Sequence, residues 1–195
     1  MNKQEEKLFN EIQNMVEELP WDHETNLKYY ETCVHEAAHG VISLVICKKF
    51  NNPEDLRGLN FEIFIHPNER TTTGNARRWH GDKNRWLFST IPVAIDKIRA
   101  LSGVILTDEF WATYYKSNRI FGNNKLKKEY RASSDFNKAE HYGILGTYID
   151  QLILRVCYKD INIRLLHLEL IYAILKGHGL FIIDDPEKYV NKKEL

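Results

Sequence analysis

The sequence predicts a mostly α, α+β domain with one small β element. Two observations lead there. Apolar residues recur at three- and four-residue spacing along five stretches, as in helices that bury one face. Only "NFEIFIHP" alternates apolar and polar residues as a half-buried strand does. At 195 residues the chain is long enough to bury one real core.

The elements follow in order. Residues 4–19 set Leu8, Phe9, Ile12, Met15, Val16 and Leu19 at helical spacing, and Pro20 ends that helix. A second helix starts at Asp22 or Thr25, both good N-caps, and runs to about Lys48. "NNPEDLRG" is a loop. In "NFEIFIHP", Phe61, Ile63 and Ile65 alternate with polar neighbours. "NERTTTGNARRWHGDKNRW" reads as loop, with room for a second short strand. Thr90 and Pro92 open a third helix that ends near Tyr115. "KSNRIFGNNKLKKEYRA" is a polar, basic loop. Ser133 or Ser134 caps a fourth helix with the apolar stripe Phe136, Ala139, Leu145, Tyr148, Ile149, Leu152 and Val156. Asp160 caps a fifth, which stops near Gly177 and Gly179. The divisions are an N-terminal amphipathic helix over 1–21, a domain over 22–180 and a tail over 181–195. The first helix either packs on the domain or docks a partner.

Composition narrows the function. The 27 basic and 27 acidic residues balance, so no global field points to nucleic acid or an anionic membrane. No apolar run reaches the length of a bilayer span, and the N-terminus lacks the apolar core of a signal peptide. Cys33, Cys47 and Cys157 are odd in number and far apart, which is no disulfide framework and suits a reducing cytoplasm. "ARRWHGDKNRW" mixes Arg77, Arg78, Lys83 and Arg85 with Trp79 and Trp86. Such a mixture can hold single-stranded nucleic acid; the expected reading is a surface loop anchored by its tryptophans.

The chemistry sits in "CVHEAAHG". His35 and His39 are four apart, so on a helix they lie one turn apart on one face. Two imidazoles so placed can grip one zinc ion. Zinc lowers the pKa of a bound water to about 7, and Glu36, beside the first ligand, is positioned as its base. The helix continues through Val41, Ile42, Leu44 and Val45, where unpartnered polar groups would be costly to bury. A catalytic site takes a third protein ligand. Candidates are His66, His80, Asp108, Glu109, Asp135, Glu140 and His141. Asp135 lies in the first turn of a helix, where the dipole favours its charge; simple capping would explain it equally well.

Taken together, four stretches resemble the peptidase domain of the FtsH family of ATP-dependent zinc metalloproteases. "VHEAAHGVISLVI" is similar to that family's zinc helix, and "FEIFIHPNERTTTGN" to the strand that follows it. "AIDKIRALSGVILTDEF" resembles the helix with Leu-x-Gly-Arg-x-Ala-Glu-Glu, and "RASSDFNKAEHYG" the segment Gly-Ala-x-x-Asp-Leu-x-x-Ala. The likeness covers roughly residues 28–158. It implies a helical, zincin-like domain with zinc on His35, His39 and Asp135. The chain departs from the family in several places. Val104 and Thr107 stand where Arg and the first Glu would be, Asp108 where the second Glu would be, and Arg131 replaces a Gly. The ATPase module and membrane segments of the family have no counterpart in these residues.

The expectation is therefore an ATP-independent zinc metallopeptidase acting on unstructured or regulatory polypeptides, with Zn²⁺ as its cofactor. Substrate would add as a strand beside "NFEIFIHP", meeting Glu62 and Phe64, because a lone strand has an open edge. The other classes are a repressor-cleaving regulatory protease with the same motif, and a non-enzymatic peptide-binding module that kept its zinc.

Overall fold

The computed structural model describes residues 1–49, 59–66, 71–78, 93–116 and 144–185. These form five helices and one small antiparallel sheet: α1 (Lys3–Glu17), α2 (His23–Lys49), β1 (Leu59–His66), β2 (Thr71–Arg78), α3 (Val93–Tyr114), α4 (Ile144–Cys157), α5 (Ile161–Lys176) and β3 (Leu180–Ile182). The domain is mostly helical, as its periodicity predicts.

Polar side chains start the helices. Asn2 and Glu5 form a reciprocal capping box at α1, each side chain accepting the other's backbone N–H at 2.8 Å. Asp22 accepts the Thr25 N–H ahead of α2 at 2.9 Å, and Asp160 accepts the Asn162 N–H at α5. The expected start of the fourth helix at Ser133 or Ser134 lies outside the described residues.

The core is built around α2. Between Cys33 and Leu44 every residue except His35 is buried, as in a helix covered on all sides. Helices α3 and α5 and the sheet pack against it. Helix α1 joins the same core through Ile12 and Val16. Its Glu5 is fully buried, accepting from Arg164 of α5 at 2.7 Å and Tyr114 of α3 at 3.1 Å. The first helix therefore packs on the domain.

The sheet order is β2-β1-β3. β1 pairs with β2 from Leu59↔Arg78 to His66↔Thr71, and with β3 from Asn60↔Ile182 to Glu62↔Leu180. This corrects the expectation of an open edge at Glu62 and Phe64. β1 is the central strand: Glu62 stands between Asn75 and Leu180, and Phe64 opposite Thr73. The Ile63 N–H donates to Gly179 at 2.8 Å and the Leu59 carbonyl accepts from Ile183 at 2.9 Å. Odd residues of β1 thus turn their main chain toward β3, and Glu62 and Phe64 turn theirs into the β2 ladder. The start of the tail is likewise a strand.

A second correction concerns α4. Of its expected core stripe, Ile149, Leu152 and Val156 are 59%, 54% and 56% exposed; Leu154, which is buried, lies outside that stripe. Arg155 instead engages Asp108, at 2.8 Å, and Glu109 on α3. Periodicity shows that a helix has an apolar face; it does not show that a partner covers that face. Among the described residues no helix is long and apolar enough to cross a membrane.

Candidate metal centre

The motif lies in the middle of α2, where the helical repeat stacks the two imidazoles. Their rings meet edge to face, with centroids 4.9 Å apart at 87°. The two Nε2 atoms are 3.3 Å apart. A zinc ion with Zn–N bonds of about 2.05 Å and tetrahedral angles separates its nitrogen ligands by about 3.3–3.4 Å. The donor set and its spacing therefore fit zinc.

α3 fixes one of the rings. Arg99 presents its carbonyl 2.9 Å from His39 Nδ1. A carbonyl only accepts, so Nδ1 carries the proton and the Nε2 lone pair is left facing His35. This is the tautomer that a metal-binding histidine needs. Ser102 donates to the same carbonyl at 2.7 Å, and its Oγ lies 3.5 Å from Nδ1.

β2 closes the other side. The Thr32 hydroxyl of α2 and the Thr72 hydroxyl of β2 lie 2.6 Å apart, and the Lys28 carbonyl lies within reach of both, at 2.9 and 3.2 Å; one hydroxyl donates to the other, which donates to the carbonyl. Glu36 is buried, with β2 lying directly over it. A cleft of about 230 Å³ opens here, lined on α2 by Lys28, Glu31, Thr32, His35 and Glu36, and on β2 by Thr72 and Gly74. That is below the usual size of a small-molecule pocket. Cys33, one turn before Glu36, takes no part as a thiolate: burial pushes its pKa well up, and the Glu36 charge adds to the shift.

Two glycines shape this arrangement. A Cβ on Gly103 of α3 would stand 2.4 Å from His39 Nε2 and 2.7 Å from His35 Cε1. A Cβ on Gly74 of β2 would stand 2.5 Å from Glu36 Cγ and 2.7 Å from its Oε1. The sequence reading missed both as site residues. A signal for them exists: glycine inside a helix or strand weakens it, so a close approach of backbone is the reading to test first.

Among the described residues no group of three or more His, Cys, Asp or Glu could hold a metal. Asp135, His80, Glu140 and His141 lie outside them, as does the side chain of His66. Asp108 and Glu109 are within them and face Arg155 instead.

No family model matches the chain, no curated protein matches its sequence, and no solved structure matches its fold. The likeness to the FtsH peptidase rests on the four stretches quoted above.

Proposed function

We propose that the chain is a zinc-dependent metallopeptidase. The observation that carries this is the pair of Nε2 atoms 3.3 Å apart, with His39 locked in the metal-binding tautomer and Glu36 beside them. His35 and His39 would hold the ion, with Asp135 as the proposed third ligand. Bound there, zinc supplies Lewis acidity toward the scissile carbonyl and the attacking water. Glu36 takes the proton of that water and returns it to the leaving amine. Its place at the cleft beside His35 supports an enzyme over a binding module, which has no use for a base.

Substrate is held by β2. Since the odd residues of β2 face β1, the main-chain groups of Thr72, Gly74 and Ala76 point to the outer edge of the sheet. Thr72 and Gly74 also line the cleft. An extended polypeptide pairing with that edge passes beside Glu36. This pairing reads backbone and not side chains, so unstructured segments are the substrate class. The three free cysteines suit a cytoplasmic location.

Glu36→Gln tests the reading. The variant should bind zinc as the parent does and lose hydrolysis of unfolded polypeptides by at least 100-fold. Zinc binding with no hydrolysis by the parent protein would favour the peptide-binding module.

A further inference from the structure

Gly103 lies at a buried position inside the 22-residue helix α3. Glycine in a helix interior is less favourable than alanine, so its presence here calls for a local reason. The atoms that crowd it supply one. A Cβ would meet His39 Nε2 at 2.4 Å, His39 Cε1 at 2.6 Å and His35 Cε1 at 2.7 Å. These are the converging edges of the rings, not their stems.

The same helix acts on His39 one turn earlier. Arg99 holds Nδ1 from behind at 2.9 Å. With that side tethered, the ring cannot retreat from a group added at 103 without breaking the Arg99 bond or turning its Nε2 away from His35. α3 thus touches the site twice at helical spacing, as an anchor at Arg99 and as an open space at Gly103.

We propose that Gly103 is a positioning residue: the missing side chain lets both imidazoles aim Nε2 at one point, and any larger residue spreads them. The proposal rests on reading His35 and His39 as metal ligands. It is independent of catalysis, because the contact is between α3 and the two rings.

The test uses the full chain carrying Gly103→Ala. Zinc affinity is measured by competition with a chelator, and coordination by the visible absorption of bound Co²⁺. Affinity should fall by roughly 100-fold, at the upper end of what misplaced supporting groups cost, and the Co²⁺ bands should shift or vanish. Melting of the metal-free protein gives a second readout. In a His35→Ala, His39→Ala background, the new alanine should raise Tm as a better helix former; with both rings present it should not. That cycle reads the contact even if Gly103→Ala alone folds poorly. Unchanged zinc affinity and Co²⁺ spectrum, or equal Tm shifts in the two backgrounds, would overturn the proposal. A parent protein that binds no zinc would defeat the metal-site reading, and the melting cycle would still decide whether Gly103 spaces the rings.

Discussion

His167 of α5 donates its Nε2–H to the carbonyl of Val34, the residue just before the first motif histidine, across 2.9 Å. The Tyr158 hydroxyl donates to its Nδ1 at 2.9 Å. The ring is fully buried, and burial drives its pKa from 6.5 to about 4, with the Val34 bond opposing the shift. The folded protein therefore keeps His167 neutral where the unfolded chain takes up a proton. Stability from this group is complete above pH 6.5 and is lost as pH falls toward about 4. The loss should be on the order of 3 kcal/mol. In urea titrations, His167→Phe should be less stable at pH 8 and show a shallower decline between pH 6.5 and 4. An unaltered slope in that variant would show that other groups set the acid limb.

The Glu5–Arg164 pair ties α1 to α5. Burial alone would raise the Glu5 pKa, but Arg164, the Asn2 N–H and the Tyr114 hydroxyl together hold it below its usual 4.5. Its contribution is present above that pH and is lost below it, in a window lower than that of His167. Glu5→Ala leaves Arg164 without its carboxylate and should cost roughly 3 kcal/mol by chemical denaturation at pH 7. A cost under 1 kcal/mol would mean that the pair adds little beyond the packing of Ile12 and Val16.

Metal analysis of the purified protein should give about one zinc per chain, as three ligands and one open position make a single site. His35→Ala and His39→Ala should each remove it. Asp135→Ala should weaken binding strongly. Full affinity in that last variant would move the third ligand to Glu140 or His141.

Because β2 is an outer strand of the sheet among the described residues and borders the cleft, substrates methylated on single backbone nitrogens should show a pattern of period two. Methylation of amides that pair with Thr72 or Gly74 should raise KM about tenfold, the scale of one lost hydrogen bond, and the alternate amides should tolerate it. Proline at Glu62 or Phe64 should instead damage the β1–β2 ladder and lower Tm. A KM insensitive to every N-methyl position would exclude main-chain pairing.

Much of the helical frame was legible in the sequence, for physical reasons. The caps Asp22 and Asp160, the stop at Pro20 and the apolar stripe of α1 are local signals, and local signals survive folding. β2 is legible only as loop with room for a second short strand, because "TTTGNARR" has no apolar alternation; its inner face needs only Thr72, Gly74 and Ala76, since α2 lies so close. β3 spans three residues and exists only by pairing with β1, more than 110 positions away. The motif on α2 was visible as a pattern. Gly103 and Gly74 were not, because their importance lies in what a side chain would strike on another element.

The bond between Arg164 and Glu5 joins residues 159 positions apart. Chains grow from the N-terminus at about 5–20 residues per second, so α1 and α2 wait roughly 10–30 s on the ribosome before α5 can close over them. During that interval the motif helix, buried from Cys33 to Leu44 except at His35 in the finished fold, has neither α5 nor β3 to cover it. The nascent chain thus exposes the apolar side chains of that segment until α5 is made. The rings of His35 and His39 reach their final surroundings only after α3, which packs against both, has emerged.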